Sequence, residues 1–368
     1  MKNELYLPSF NTKIEINYLL IKLFSLLLII LIVCLNNIIY NKEKNIIKKK
    51  INEENSLSKN IININKNNNI LIPYIKQQND FCHNKNKYYN KIIEDQIILK
   101  KVKFEDYSYE IYVYKNPNFL TNSLRKEFSF EESETINILK ALQYYSIKNN
   151  IKNNKNIFML DIGGNVGWYP SFLGRFGYSI LSFEPFETNY YVLMKNYCLI
   201  NQKSNVVIIT KGINNEEKRC DYFMHVNNTG NGMIICDKNI INNKLLNHKF
   251  KKLKNVSLTK LSNFIPYLSD KNLALIKIDI EGAEGKAIES GIDLITKYHV
   301  PFIVIEFTPI LLKEHGTNPY KLIKLFIDND YYISLKGFLF KSYISIGELM
   351  SQTKHQRDCY FIYKHFID

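Results

Sequence analysis

The chain is short of the patterns that hold metals and dinucleotides. Its six cysteines, at positions 34, 82, 198, 220, 236 and 359, include no Cys-x-x-Cys pair, and none has a histidine at ligand spacing. No metal site is therefore expected. Most of these cysteines read as small buried apolar side chains. The five beyond Cys34 are an odd number, and spacing alone leaves open whether any of them pair in an oxidising compartment. Glycines are missing where a dinucleotide-binding turn needs them: counting from Gly163, the third residue is Asn165 and the sixth is Trp168. That breaks the fingerprint of a nicotinamide-dependent hydride transferase. Acids are outnumbered by bases, 35 to 49, for a net charge of +14. Half of this excess, +7, lies between Asn41 and Lys91, in an Asn-, Lys- and Ile-rich stretch with no sustained period of two or of 3.6. Such a stretch reads as compositional drift in an unstructured stalk rather than a face shaped for nucleic acid, so no nucleic-acid partner is expected.

The amino terminus carries a long apolar run. Leu23 to Leu35 is apolar except for Ser25, and the flanks from Tyr18 to Tyr40 make it long enough to span a bilayer. A cleaved signal would need small residues after the apolar core, where Asn36-Asn37-Ile38-Ile39-Tyr40 stands instead. The expectation is an uncleaved single-pass membrane anchor. Its orientation is contested by two signals. Lys42, Lys44, Lys48, Lys49 and Lys50 outnumber Lys2, Lys13 and Lys22 on the other flank, which would keep the large domain in the cytosol. Two glycosylation triplets, Asn227-Asn228-Thr229 and Asn255-Val256-Ser257, would be usable only in a lumen. At 46% hydrophobic, 368 residues suffice for one substantial core plus extensions. The organisation expected is a tail over 1–17, the transmembrane anchor over 18–40, the stalk over 41–96, an N-terminal flank over 97–150 and a main domain over 151–368.

Real structure is expected to begin near Ile97. Tyr107 to Tyr114 alternates as a strand, and Ile136, Leu139, Leu142 and Tyr145 recur at helical spacing within Glu131 to Tyr145. A regular alternation follows: strand Ile157 to Asp161, helix Val166 to Phe176, strand Ser179 to Glu184, helix Thr188 to Leu199 and strand Val206 to Thr210. Strands separated by helices imply a parallel sheet with right-handed crossovers. After an irregular excursion through Asp237, strands are read at Leu273 to Ile278 and Pro301 to Phe307, then a helix at Pro319 to Asp328 capped by Thr317 or Asn318. Tyr331 to Leu335 and Tyr360 to Tyr363 have no evident helix between them, which predicts an antiparallel hairpin at the sheet edge. The fold class expected is α/β, with a mostly parallel, seven-stranded, Rossmann-like sheet preceded by one transmembrane helix.

Three strands end on acids. In open α/β sheets ligands sit beyond the carboxyl ends of the strands, so Asp161, Glu184 and Asp279 are expected to face one crevice. Asp161 and Glu184 stand 23 positions apart around the turn Gly163-Gly164-Asn165-Val166-Gly167. Glycines let a backbone approach a ligand closely, and a carboxylate at the next strand's tip can accept hydrogen bonds from both ribose hydroxyls. With the dinucleotide pattern broken, S-adenosylmethionine is the better expectation. Plainer readings stand beside these. Asp161 could cap the following helix, Glu184 could be a surface acid before a proline turn, and Gly163 and Gly167 could simply close a tight turn. Asn165 tolerates left-handed backbone and offers an amide. Asp279, Glu281 and Glu284 crowd a strand-to-helix junction, where the helix dipole favours acids whatever their function.

At these residues the chain resembles the FkbM-type methyltransferases. The matching elements are Leu160-Asp161-Ile162-Gly163-Gly164-Asn165-Val166-Gly167-Trp168-Tyr169, Phe183-Glu184-Pro185 followed by Asn189, Asn201, Lys277-Ile278-Asp279-Ile280-Glu281-Gly282-Ala283-Glu284, Gly291, and Ile305-Glu306-Phe307. The resemblance covers roughly residues 119–307 and is silent about the anchor and stalk. Gly164 stands where the family commonly has alanine, and the strand after Val206 leads to Gly212-Ile213-Asn214 rather than to an acid, which puts an adenine contact there in doubt. The resemblance implies a class I fold that uses S-adenosylmethionine to methylate oxygen, often on sugars, glycans or small polyhydroxyl metabolites. It implies that Asp161, Gly163, Asn165 and Glu184 contact the donor and that Asp279 and Glu281 border the acceptor; Gly167 of the same turn is expected among the donor-binding residues as well. It also tips the orientation toward a luminal catalytic domain in the secretory pathway. A sugar hydroxyl needs a general base, for which Asp279 comes first, Glu281 second and His225 third. The competing expectation is a non-catalytic, membrane-tethered binding protein that keeps the fold without the chemistry.

Overall fold

The computed structural model describes residues 69–104, 107–115, 131–200, 205–226, 228–236, 250–352 and 356–368. The expected tail, the anchor over 18–40, most of the stalk and Asn227, the acceptor of its triplet, lie outside them. Among the described residues no helix is long and apolar enough to cross a membrane.

In chain order the principal elements are helix α1 (Ile72–His83), strands β1 (Ile97–Phe104) and β2 (Tyr107–Tyr114), helix α2 (Glu132–Lys148), strand β3 (Ile157–Ile162), helix α3 (Trp168–Arg175), strand β4 (Ser179–Phe183), helix α4 (Glu187–Cys198), and strands β5 (Val206–Ile209), β6 (Gly212–Ile213), β7 (Arg219–His225), β8 (Asn228–Ile235), β9 (Phe250–Thr259) and β10 (Asn272–Ile278). Helix α5 (Glu284–Ser290), strand β11 (Phe302–Phe307), helix α6 (Pro319–Asp328), strands β12 (Tyr331–Ser334) and β13 (Tyr343–Ile344), helix α7 (Ile346–Gln352) and strand β14 (Arg357–Tyr363) complete the chain.

The central sheet runs β13-β12-β14-β11-β10-β3-β4-β5, with β11, β10, β3, β4 and β5 parallel and β14 antiparallel to both its neighbours. The parallel strands are buried on both faces, which is why they read as continuous apolar runs rather than alternating ones. Alternation shows in where each side chain goes. Met159, Ile180 and Leu275 join one core with Leu142 of α2, Phe172 of α3 and Val192 of α4, while Leu160, Leu181 and Ile276 join the other with Ile288 of α5 and Phe326 of α6. Each such fully buried side chain contributes about 1.5–3 kcal/mol.

Two expectations are corrected here and one is refined. The carboxyl-terminal strands β12 and β14 do pair antiparallel towards the sheet edge, but across an intervening helix rather than as a simple hairpin. The chain passes from β12 through β13 and α7, and only then returns as β14, which inserts between β11 and β12. The sheet therefore has eight strands rather than seven, because the two-residue β13 pairs with β12 at the edge. No sequence pattern marks which gap a returning strand will enter. The excursion after β5 is not irregular either: β6, β9, β7 and β8 form a second, mainly antiparallel sheet. Register shifts in both β7 pairings break the period of two by which strands are read.

Structure also begins earlier than Ile97. Helix α1, inside the stretch read as stalk, packs on the free edge of β5. The buried Gln78 donates from Nε2 to Val206 O at 2.8 Å and accepts from Ile208 N at 3.0 Å at Oε1, so its amide serves as a partner strand would. The cysteines are corrected likewise. Cys82 of α1 is bonded to Cys198 of α4 and Cys220 to Cys236, which leaves the buried Cys359 as the free cysteine among the described residues.

Candidate active site

The turn between β3 and α3 is built around a backbone approach. Gly163, at φ +98, lies so close to the end of β10 that a Cβ there would stand 1.9 Å from Asp279 O. The amides of Gly163 and Gly164 both donate to Phe183 O, at 3.0 and 2.9 Å, and Asp279 N donates to Ile162 O at 2.9 Å. These bonds bind the ends of β3, β4 and β10 into one rim. Gly164 faces Ser182 Oγ and Gly167 abuts Leu193 of α4. Gly167, expected among the donor-binding residues, instead closes the turn by packing and is not among the cavity-lining residues, whereas Gly163, Gly164 and Asn165 are.

Glu184, at the tip of β4, lines the same cavity and is 5% exposed. Its Oε2 accepts from Asn165 N at 2.8 Å and its Oε1 from Phe186 N at 2.9 Å. Part of the carboxylate's acceptor capacity is left for a ligand hydroxyl. Burial pushes this carboxyl up to about 8, against the pull of those backbone amides. Asn189, whose Oδ1 accepts from Tyr114 Oη at 2.7 Å, also lines the cavity and reaches the same carboxylate.

Asp161 is placed differently from the expectation. It is wholly buried beneath the turn, its Oδ2 accepting from Ser182 Oγ at 2.7 Å, and its other oxygen has no hydrogen-bond partner among the described residues. It shares an electrostatic environment with Glu184 and Lys277 but does not line the cavity. Any effect on a ligand from there passes through the glycine turn.

On the opposite wall Asp279 and Glu281 do line the cavity. Lys277, buried in β10, holds Asp279 Oδ2 at 2.9 Å and sits 5.0 Å over the ring of Tyr169. Burial alone would lower this lysine, yet Asp279, Glu134, Glu131 and Asp161 around it hold it well above its ordinary value. Glu281 stands in the left-handed region at φ 54, and burial together with Asp279 and Glu284 pushes it up to about 8. Glu284, whose Oε1 accepts from the amides of Ile280 and Gly282 at 3.1 Å each, is pushed by burial to about 7. Carboxylate oxygens of Asp279, Glu281 and Glu306 lie within 4.8 Å of one another. Burial and that crowding raise Glu306 as well. His225, the third candidate base, is outside the cavity and meets Phe250 edge-on at 5.1 Å between ring centres.

Two parts of the wall were invisible in the motifs. Tyr222, stacked on Phe186 at 4.1 Å, projects from β7 of the second sheet. Glu131 comes from the residue before α2, and Tyr169 Oη donates to its Oε2 at 2.7 Å. Its carboxyl is raised to about 7, chiefly by burial, with Lys277 opposing. The only signal at Glu131 was the start of a helix.

The rim carries a glycine turn, a strand-end carboxylate and an acidic strand-to-helix junction in this order along one chain, the motifs on which the family resemblance rests. Residues 161–333 match the methyltransferase FkbM domain. This stretch is an FkbM methyltransferase domain. It contains every strand-end acid of the rim; Glu131 and α1 to α2 precede it. Among solved structures, magnesium protoporphyrin IX methyltransferase from Synechocystis PCC 6803 with bound SAH is 10% identical over 68% of this chain and 90% of that one, with a TM-score of 0.33. Human methyltransferase 10 domain containing protein is 12% identical over 67% and 93%, at 0.32. A protein in the NADB-Rossmann superfamily from Streptococcus agalactiae is 15% identical over 61% and 68%, at 0.30. These are distant likenesses. No curated protein matches the chain.

Proposed function

We propose that the chain transfers a methyl group from S-adenosylmethionine to a hydroxyl oxygen of a sugar, glycan or small polyhydroxyl metabolite. The observation that carries this reading is Glu184. Its buried carboxylate is oriented by Asn165 N and Phe186 N at the tip of β4, beside a glycine turn and across one cavity from Asp279 and Glu281. In this reading Glu184 accepts from the ribose hydroxyls, Gly163 and Asn165 border the donor's amino-acid end, and Asp161 holds the turn from below. When bound, the donor supplies a methyl group on a sulfonium.

Of the two candidate bases, geometry favours Glu281. Asp279 is tied to Lys277 at 2.9 Å, which occupies one of its carboxylate oxygens and suits it to positioning. Glu281 has no such cation at hydrogen-bond distance among the described residues and is raised to about 8, near a working pH, where a general base transfers protons most effectively. The acceptor oxygen would bond to the methyl carbon as the carbon–sulfur bond breaks. The electron pair of that bond would leave with sulfur, and the hydroxyl proton would pass to Glu281. Tyr222 and Ile234 of the second sheet line the acceptor side, which supports the expectation that the excursion from Cys220 to Asp237 shapes acceptor choice. The two disulfides support a domain matured in an oxidising compartment, in keeping with the luminal orientation. Asn255, the triplet within the described residues, is exposed on β9.

The test is turnover of methyl-labelled donor by the full chain against a panel of glycans and polyols. Label on an acceptor oxygen supports the reading. Tight donor binding with no transfer to any member of the panel would favour the non-catalytic alternative.

A further inference from the structure

Glu131 lies 30 residues ahead of the FkbM domain, yet its carboxylate lines the domain's cavity with Gly163, Asn165, Glu184 and Asp279. Its backbone is left-handed, φ 44 and ψ 46, a conformation that costs a non-glycine residue energy and is retained where the surroundings impose it. Tyr169 Oη, at the start of α3, holds the carboxylate at 2.7 Å. Beyond Tyr169 stands Lys277, 2.9 Å from Asp279 Oδ2 and 3.9 Å from Glu134 Oε1. One lysine thus faces four acids, Glu131, Glu134, Asp161 and Asp279, at this end of the cavity, and a cation brought there favours their ionised forms. S-Adenosylmethionine and the S-adenosylhomocysteine it becomes differ by one methyl group and by one positive charge on sulfur. In a cleft with little water, charge is the larger of the two differences.

We propose that Glu131 is a specificity-determining residue for the donor: its carboxylate makes the cleft favour the positively charged sulfonium over the uncharged thioether product, so that spent donor leaves. The inference rests on the reading that this cleft holds S-adenosylmethionine. It differs from the role of Glu184, whose ribose contacts are common to donor and product and discriminate neither.

The experiment is calorimetric titration of the full chain and of Glu131→Gln with S-adenosylmethionine, S-adenosylhomocysteine and sinefungin, which carries an ammonium in place of the methylated sulfonium. Glutamine keeps the shape and an oxygen for Tyr169 Oη while removing the charge. The expected result is about tenfold weaker binding of both cations, the size of one screened charge interaction across a protein cleft, and less than twofold change for S-adenosylhomocysteine. Retained product binding also shows that the variant has folded. Equal loss for all three ligands, or no loss for any, would overturn the proposal. If the unsubstituted chain bound none of the three, the donor reading itself would fail, and this inference with it.

Discussion

A methyl group added at Gly163 tests the rim most sharply. The Cβ of Gly163→Ala would meet Asp279 O at 1.9 Å, Asp279 C at 2.9 Å and Ile280 Cγ2 at 3.2 Å. Two of these atoms are backbone, so no rotamer change relieves the overlap. Alanine at φ +98 adds backbone strain of about 1–3 kcal/mol. Moving β10 away breaks the bond from Asp279 N to Ile162 O, worth about 1 kcal/mol. Strain, overlap and the lost bond together amount to about 3–5 kcal/mol, or roughly 10 °C in Tm for a domain of this size. Gly316→Ala separates strain from crowding: φ is +78 there, but nothing lies within 4 Å, so about 1 kcal/mol is expected. Both variants are to be compared by urea unfolding and by donor titration. A Gly163→Ala protein as stable as the Gly316→Ala protein, with unimpaired donor binding, would refute the close approach of the turn to Asp279.

Four further outcomes are expected. Glu281→Gln should lose 10²–10⁴-fold in methyl transfer while donor affinity changes less than about twofold, and its residual rate should no longer rise with pH toward 8; full transfer would remove Glu281 as the base. Glu184, Glu281 and Glu284 hold protons in the native protein up to about 8, 8 and 7, whereas the unfolded chain releases them near 4.5. The folded state therefore binds more protons between these limits, and Tm of the ligand-free chain should fall as pH rises from about 5 to 8; a flat or rising profile in scanning calorimetry contradicts the burial of these acids. Replacing Cys82 and Cys198 together by serine releases a closure 116 residues long, for which chain entropy predicts a loss of up to about 5 kcal/mol; a loss below about 1 kcal/mol in guanidinium unfolding would show that α1 is not stapled to the domain. Gln78→Ala leaves Val206 O and Ile208 N without their partner at the sheet edge and should cost about 2 kcal/mol by the same assay, and an unchanged midpoint would refute that edge pairing.

The parallel half of the sheet was legible because its strands are buried on both faces and must be continuous runs of apolar residues. Helix α6 was legible to the residue, since Pro319 starts it and Asn318 Oδ1 accepts from Lys321 N at 3.1 Å. Glu184 was legible because one acid must end β4 where the crevice opens. What escaped was decided by tertiary partners. Gln78 is buried in α1 by hydrogen bonds to a strand 128 and 130 positions away, and a buried glutamine makes a helix look like polar stalk. Asp161 has the composition of a ligand contact, yet Ser182 holds it beneath the turn. The disulfides depend on which helices and strands meet, which spacing does not encode. Glu131 reaches the cavity through a left-handed backbone turn that no local pattern announces.

The central claim is that Glu184 closes a donor site at the tip of β4. Calorimetric titration of S-adenosylmethionine into the full chain and into Glu184→Ala tests it most directly. The account predicts saturable binding by the former and at least tenfold weaker binding by the latter, the ribose hydroxyls losing hydrogen bonds worth about 0.5–1.5 kcal/mol each. Undiminished affinity in the variant would contradict it.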